Sequence, residues 1–282
     1  MINEFNDYKK MIPLWFAEDI GDGDHTTLSC IPAGATGKSQ LIIKEKGVLA
    51  GVDVACEIFR AFDSGLKVTV YIHDGAEVKP GDIVFDVEGK VRSLLQTERL
   101  MLNIMQRMSG IATRTREYVK LLEGTKTKAL DTRKTTPGLR LLEKEAVRIG
   151  GGCNHRIGLF DMILLKDNHV DFAGGIENAI RSARKYLEEN GKQLKIEIEV
   201  RNFDELQQVL DTGGVDRIML DNFTPENTRK AVEMIGGSYE TESSGGITFD
   251  TLRQYAECGV DYISVGALTH SVKSLDMSFK AI

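Results

Sequence analysis

Hydrophobic and polar positions follow two different patterns in the two parts of the chain. In the first part, helical spacing and strand-like alternation are mixed. Helices are predicted for residues 2–16, 53–62 and 93–123, and strands for residues 41–46 and 66–73. Within residues 73–89, Pro80-Gly81 marks a turn before a further strand. This segment is typical of carrier-domain hairpins, but no lysine stands in a carrier motif, so only the β-architecture is inferred.

From residue 128 onward, strand-like runs alternate regularly with helical stretches. The runs are "KALDTR", "DMILLK", "IEIEV", "RIMLD", "SYETES" and "DYISVG". Strands that alternate with helices indicate right-handed βαβ units and a parallel sheet. Six runs fall short of the eight of a complete (β/α)₈ barrel. The fold class is therefore predicted as α/β, with a smaller or open barrel favoured and a doubly wound sheet as the alternative.

Polar residues gather where these predicted strands end. They are Arg133, Lys134, Lys166, Asp167, Asn168, Glu199, Arg201, Asp221, Asn222, Ser243, Ser244, Gly245, Gly246 and Gly266. Active sites of barrel enzymes lie at the carboxyl ends of the strands. In "IEIEV", alternation puts Glu197 and Glu199 on one face, which we expect to point into the barrel. Glu199 is nearer the open end and suits Mg²⁺ or ligand hydroxyls together with Asp221, whereas the deeper Glu197 is expected in a structural ion pair.

Two basic clusters and two glycine-rich turns add candidate chemistry. The clusters are Arg133/Lys134 and His155/Arg156/Lys166, and such groups suit carboxylates and phosphates. The turns "SSGG" and "SVGA" offer backbone N–H groups to a phosphate. A zinc site at His155 and His169 is disfavoured, because neither histidine belongs to a motif with zinc-ligand spacing.

Composition narrows the classes of function. The chain has 282 residues, of which 41% are hydrophobic, and a net charge of −6. A nucleic-acid partner is disfavoured, since such proteins usually carry a basic surplus. The four cysteines form no CxxC pair and suggest reduced thiols. With no apolar signal core and no membrane-length run, we expect a cytoplasmic protein without a membrane partner.

Several motifs together resemble one family. These are "DTRKTTPGLR", "GGGCNHR", "LLKDNH", "IEIEV", "MLDN", "SSGGI" and "ISVGALTHS", and the similarity runs from "EDIGDGDHTT" to Ser271. They resemble the decarboxylating quinolinate phosphoribosyltransferases of NAD biosynthesis. These enzymes convert quinolinate and phosphoribosyl pyrophosphate (PRPP) to nicotinate mononucleotide, pyrophosphate and CO₂. The resemblance implies an N-terminal α/β sandwich domain at 1–109, on which a tail at 271–282 packs, and an open six-stranded α/β barrel at 110–270. It also implies a homodimer with shared active sites, possible as a hexamer built from three dimers.

The resemblance implies a role for each candidate residue. The quinolinate carboxylates would be bound by Arg133, His155, Arg156 and Lys166, and by Arg107 from the neighbouring subunit. Lys134 would meet the pyrophosphate end of PRPP, and Glu199 and Asp221 would bind Mg²⁺ and the ribose hydroxyls. These last three are the implied catalytic residues. The 5′-phosphate of PRPP would be held by Ser244, Gly245, Gly266 and His270.

Two other functions stay open at this point. One is a phosphoribosyltransferase of the same fold with another acceptor, such as nicotinate, or the homologue linked to molybdenum transport. The other is a non-catalytic anion-binding protein. Glu199 and Asp221 disfavour the second, because a simple binder of anions gains little from two carboxylates.

Overall fold

The computed structural model describes residues 8–282. Its strands are β1 (Thr36–Ile43), β2 (Gly47–Val48), β3 (Lys67–Val70), β4 (Glu77–Val78), β5 (Ile83–Lys90), β6 (Lys128–Leu130), β7 (Ile163–Leu165), β8 (Ile196–Val200), β9 (Arg217–Asp221), β10 (Glu240–Ser244), β11 (Tyr262–Ser264) and β12 (Met277–Ala281). Its helices are α1 (Ile12–Ile20), α2 (His25–Cys30), α3 (Val52–Phe62), α4 (Val91–Leu121), α5 (Arg140–Ile149), α6 (Asp167–Ala173), α7 (Ile176–Glu189), α8 (Phe203–Thr212), α9 (Pro225–Ile235), α10 (Leu252–Ala256) and α11 (Ala267–His270). A 3₁₀ turn at Tyr8–Met11 precedes α1.

Most elements predicted from the periodicity are present. The six strand-like runs form β6 to β11, and the predicted helices at 53–62 and 93–123 are α3 and α4. The predicted helix at 2–16 is replaced by the 3₁₀ turn and α1, and its residues 2–7 lie outside the described part of the chain. Among residues 8–282, no helix combines the length and apolar character needed to cross a bilayer.

The chain divides into two compact units. The first comprises the described part of residues 1–116 together with residues 135–151 and 267–282, and the second comprises residues 117–134 and 152–266. The predicted domains, 1–109 and 110–270 with a returning tail, are simpler than this division. Two segments, not one, rejoin the first unit: the C-terminal segment and residues 135–151, which contain α5.

The first unit is built on an antiparallel sheet with strand order β12-β1-β5-β3. The C-terminal strand pairs with the first strand, so that Phe279 lies opposite Leu41. Phe279 also packs near Phe59 of α3 and Phe85 of β5, with ring centroids 6.1 and 6.5 Å away. These three side chains are at least nine-tenths buried, and offset or edge-on aromatic packing of this kind stabilises a core. The tail thus completes both the sheet and its apolar face.

The second unit contains a parallel sheet with strand order β6-β11-β10-β9-β8-β7. After β6, the order runs stepwise from β11 to β7 without the central reversal that defines a doubly wound sheet. Within the described residues β6 and β7 form the two edges, so the sheet is the open barrel that was predicted. Leu130 of β6 also forms an isolated parallel bridge with Cys153.

Candidate active site

The carboxyl ends of the six parallel strands meet at one edge of the sheet. Leu130 at the end of β6 is in register with Ser264, and Ser244 at the end of β10 is in register with Asp221. At this edge lies a cavity of about 310 Å³. It is lined by Thr132, Arg133, Lys134, His155, Arg156, Leu164, Lys166, Met219, Glu242, Ser244 and Ser264.

Both basic clusters predicted from the sequence line this one cavity. Arg133 and Lys134 come from the loop after β6, His155 and Arg156 from the segment before β7, and Lys166 from the end of β7. Burial lowers the pKa of Arg156, and the positive charge of Arg133 lowers it further. Because these two guanidinium groups repel each other, an anion bound between them would reduce their repulsion.

Arg156 is fixed in place although its side chain faces a cavity. Only 8% of the residue is exposed, and Nη1 donates a hydrogen bond to the carbonyl oxygen of Met162 at 3.2 Å. Arg133 and Lys134, by contrast, are exposed. The cavity therefore combines one buried, hydrogen-bonded guanidinium group with two exposed cations.

Two carboxylates lie beside the cations. Burial raises the pKa of Glu199, and the nearby charge of Asp221 adds to this, although Lys166 opposes it. Nζ of Lys166 is 3.4 Å from Oε2 of Glu199. Burial also raises the pKa of Asp221, against hydrogen bonding from Asn222 and the charge of Lys166. Glu199 is buried and Asp221 is partly exposed. Two such mutually repelling carboxylates suit a divalent cation, and their hard oxygen donors match Mg²⁺.

A tight glycine turn follows β10 and packs against the turn after β9. Gly245 has a φ of +90°, and a Cβ there would lie 2.2 Å from Oδ1 of Asn222. Asn222 itself adopts a positive φ of 56°, and its backbone N–H donates to the carbonyl oxygen of Ser244 at 2.9 Å. A glycine is needed at position 245 because φ is positive there and because both the side chain and the backbone nitrogen of Asn222 approach so closely. Ser244, which precedes it, faces the cavity.

Beneath the cavity lies a buried group of four charged or polar side chains, here called the floor network: His155, Glu197, Arg217 and Glu242. Nε2 of His155 is 2.9 Å from Oε2 of Glu197 and 3.5 Å from Oε2 of Glu242. Nη1 of Arg217 lies 3.0 Å from Oε2 of Glu242 and 3.9 Å from Oε2 of Glu197. The inward orientation of Glu197 and its structural ion pair, both predicted from "IEIEV", are confirmed.

The two carboxyl groups of the floor network hold their protons unusually firmly. Burial raises the pKa of Glu197 to about 7, although Arg217 and a hydrogen bond with Glu242 oppose the shift. Burial and the charge of Glu197 raise the pKa of Glu242 to about 8. Two adjacent buried carboxylates repel each other, so at neutral pH the pair retains a shared proton.

The floor network does not need a metal ion. His155, Glu197 and Glu242 offer ligand atoms within 4.8 Å of one another. However, the guanidinium group of Arg217 already supplies a positive charge to both glutamates, and it stacks over Tyr262 with its Cζ 4.1 Å from the ring centroid. A divalent cation would have to displace an arginine that is held from two sides.

Two predicted site residues, Arg107 and His270, belong to the first unit. Nε of Arg107 donates to Oε1 of Glu143 at 2.7 Å, and Nη2 donates to the carbonyl oxygen of Thr269 at 2.9 Å and to Oγ1 of Thr136 at 3.1 Å. Glu143 is only 1% exposed, so this ion pair fixes the arginine. The ring Nδ1 of His270 lies 2.7 Å from Oγ of Ser271.

Comparison with known proteins agrees with the geometry. The family model for the C-terminal domain of quinolinate phosphoribosyl transferase matches residues 111–280, and the model for its N-terminal domain matches residues 24–109. The chain belongs to the quinolinate phosphoribosyltransferase family. The match over both domains identifies the chain as an enzyme of this family with its characteristic sandwich-plus-barrel architecture.

Individual relatives in this family extend over nearly the whole chain. A mitochondrial quinolinate phosphoribosyltransferase [decarboxylating] of Nicotiana tabacum is 43% identical over 97% of this chain and 82% of its own length. A probable nicotinate-nucleotide pyrophosphorylase [carboxylating] of Bacillus subtilis is 42% identical over 96% of this chain and 92% of its own. The solved structure of the nicotinate-nucleotide pyrophosphorylase of Francisella tularensis has a TM-score of 0.91 at 40% identity, covering 98% of this chain and 96% of that one.

The quinolinate phosphoribosyltransferase motifs account for the mouth of the site but not for its floor. Sequence reasoning gave no role to Glu242, Arg217, Asn222 or Ser264. Glu242 could have been found, because "ETESS" alternates in the same way as "IEIEV" and places Glu242 and Ser244 on one face. Alternation in "RIMLD" places Arg217 on one face with Met219 and Asp221. That Arg217 meets the glutamates of both neighbouring strands follows only from the sheet register, which pairs it with Glu197 and Glu240.

The raised pKa of Glu242 predicts a pH-dependent stability. Its pKa is near 4.5 in the unfolded chain and about 8 in the folded one. The folded state therefore binds more protons between these values, and the free energy of unfolding should fall as pH rises through this window. In Glu242→Gln the amide N–H group takes over the shared proton's place, so the unfolding temperature should fall less between pH 5 and pH 8.

The control for this measurement is Glu240→Gln. Glu240 lies on the same strand and contacts the same arginine, but its carboxylate is on the partly exposed side. This variant should keep the pH dependence of the wild type. Parallel pH profiles for wild type and Glu242→Gln would show that Glu242 does not carry a proton in the folded state.

Proposed function

We propose that this chain transfers the phosphoribosyl group of PRPP to the ring nitrogen of quinolinate and releases pyrophosphate and CO₂, giving nicotinate mononucleotide for NAD biosynthesis. The observation that carries the proposal is the convergence of Arg133, Arg156 and Lys166 in a single cavity with Glu199 beside them. Quinolinate carries two adjacent carboxylates on a planar ring. Guanidinium groups bind such groups with paired hydrogen bonds, and a lysine adds a point charge.

The residues at the mouth divide between the two substrates. The 5′-phosphate of PRPP is assigned to the turn at Ser244 and Gly245, and to Gly266 and His270. Its pyrophosphate is assigned to Lys134. Glu199 and Asp221 face the ribose hydroxyls and are the residues that would hold Mg²⁺. When bound, this ion supplies positive charge that neutralises the pyrophosphate.

The reaction needs positioning and charge more than it needs a protein base. The pyridine nitrogen of quinolinate attacks the anomeric carbon of PRPP as pyrophosphate departs, and Lys134 stabilises the departing negative charge. Alignment of the two bound substrates contributes about 7–11 kcal/mol when it is close to ideal. The alkylated ring nitrogen is then cationic, and it stabilises the electron pair left on the ring when the adjacent carboxylate leaves as CO₂. That carbon takes up a proton to complete the product.

The assembly and location belong to the same proposal. We assign the chain to a homodimer, with a hexamer of three dimers as the larger form, in which Arg107 of each subunit serves the site of its partner. A cytoplasmic location is assigned as well. The fixed position of Arg107 against Glu143 supports its use as a preset guanidinium group. Neither nucleic acid nor a membrane is a partner in this proposal.

A coupled assay tests the activity directly. Purified protein with quinolinate, PRPP and Mg²⁺ should release CO₂ and pyrophosphate in equal amounts, and removal of Mg²⁺ by chelation should slow the reaction strongly. Nicotinate in place of quinolinate is the discriminating control, because its single carboxylate cannot engage the full basic set. Pyrophosphate release with nicotinate but not with quinolinate would assign the chain to another acceptor, and PRPP binding without turnover would indicate a non-catalytic protein.

Arg133→Ala should separate the two substrates. Loss of a charge-assisted pair should raise the KM for quinolinate by about tenfold or more and leave the KM for PRPP nearly unchanged. Arg148→Ala is the matched control, since Arg148 is exposed and pairs with Glu145 on the surface of α5. Equal increases in both KM values would contradict the assignment of Arg133 to quinolinate.

Mixed dimers test whether Arg107 acts across subunits. At a quinolinate concentration far below the raised KM values, Arg107→Ala and Arg133→Ala homodimers should both turn over slowly. After subunit exchange, an equal mixture should recover about a quarter of wild-type activity, because half of the dimers are mixed and each of these has one complete site. Mixing Arg107→Ala with the double variant should restore nothing. Absence of recovery in verified mixed dimers would show that Arg107 serves its own subunit.

A further inference from the structure

The floor network connects the centre of the barrel to one residue of the proposed quinolinate site. Starting from Tyr262, the contacts run through Arg217 to Glu242 and Glu197, and from these to the ring of His155. The ring of His155 in turn contacts the backbone of Arg156. The network therefore ends at the guanidinium residue that is most deeply set in the cavity.

The hydrogen bonds determine the protonation of His155. The backbone N–H of Arg156 donates to Nδ1 of His155 at 2.8 Å, so Nδ1 is an acceptor and carries no proton. Nε2 then carries the proton and donates it to Oε2 of Glu197 at 2.9 Å. This is the neutral Nε2–H form of imidazole. Both ring nitrogens are thus engaged by the protein itself.

The backbone of this segment is fixed from a second direction. The backbone N–H of His155 donates to Oδ1 of Asp131 at 2.9 Å, and Asp131 is fully buried directly after β6. The side chain of His155 is only 7% exposed. Since the ring and the backbone of His155 are both held, the direction in which Arg156 leaves the chain is set by these contacts.

We propose that Glu197 and Glu242 are positioning residues that act through the Nε2–H form of His155 to hold Arg156 in its quinolinate-binding position. On this view, which rests on the proposed function, His155 is a positioning residue as well and donates no hydrogen bond to the substrate. The effect should be larger for quinolinate than for PRPP, because the contacts described above lead through His155 to Arg156, which is assigned to quinolinate.

Two substitutions at Glu197 remove its function to different degrees. Gln at position 197 keeps an oxygen that accepts the Nε2–H of His155, whereas Leu has a similar size and no acceptor. Glu197→Leu should raise the KM for quinolinate by about tenfold, the cost of a lost hydrogen bond near a charged group, with the KM for PRPP within about twofold. Glu197→Gln should restore the KM for quinolinate nearly to the wild-type value.

Glu240→Gln is the matched control. Glu240 also accepts a hydrogen bond from Arg217, at 3.1 Å from Nη2, but its side chain is partly exposed, and its hydrogen bonds and ion pairs join it to Arg217 and Lys195. Its loss should leave both KM values unchanged. Equal increases in both KM values for Glu197→Leu, or the same KM for quinolinate in Leu, Gln and wild-type proteins, would overturn the proposal.

A spectroscopic measurement is independent of turnover and of how well Glu197→Leu folds. In protein with ¹⁵N-labelled histidine, the two-bond ¹H–¹⁵N spectrum should show His155 as the neutral Nε2–H tautomer, with its signals assigned by their loss in His155→Asn. The tautomer should be retained in Glu197→Gln. A cationic ring or an Nδ1–H tautomer in the wild type would overturn the proposal even if the enzyme were fully active, whereas failure of the coupled assay alone would count against the proposed function.

Discussion

The parallel register of six strands is the constraint on which the rest of the site depends. Because all six point the same way, every strand delivers its last residues to one edge, and groups that are distant in sequence become neighbours. Arg133 follows the first of these strands and Ser244 ends the fifth, yet both line one cavity. The loops need to supply only side chains of the right charge, since the hydrogen-bonded register supplies their proximity.

This convergence creates an electrostatic problem that the floor network solves. A pocket for a dianion must be positive, but the same barrel contains carboxylates directly beneath it. Glu242 lines the cavity and Glu197 lies next to it, and two full negative charges there would repel the proposed substrate. Burial and mutual repulsion make the pair retain a proton, and Arg217 lies against the charge that remains. The floor is thereby close to neutral, and the field at the mouth is left to the arginines and lysines.

The sequence predicted what depends on local pattern and missed what depends on register and chain return. The alternation in "IEIEV" predicted that Glu197 and Glu199 point inward. Regular strand–helix alternation predicted a smaller or open barrel and left a doubly wound sheet as the alternative, and the family resemblance selected the open six-stranded barrel. Nothing local shows that Arg217 and Glu242 meet, because they lie on adjacent strands and their distance is set by sheet register. Nor does a local pattern show that α5 leaves the barrel unit for the first one. The family motifs indicated the residues that would contact substrate. They did not indicate Arg217 and Glu242, which lie beneath those residues.

The fold alone does not determine the acceptor, since one architecture can carry several related reactions. What discriminates is how many of the neighbouring positive groups in the cavity an acceptor can contact with its carboxylates. Nicotinate could neutralise one of the two neighbouring guanidinium groups, Arg133 and Arg156, and would leave the other facing it without an anion. Quinolinate can neutralise both. Burial lowers the pKa of Arg156 and repulsion by Arg133 lowers it further, and relief of this repulsion favours binding of a second carboxylate. Specificity for a dianion then follows from the close placement of like charges, one of which, Arg156, is buried and hydrogen-bonded to the carbonyl oxygen of Met162.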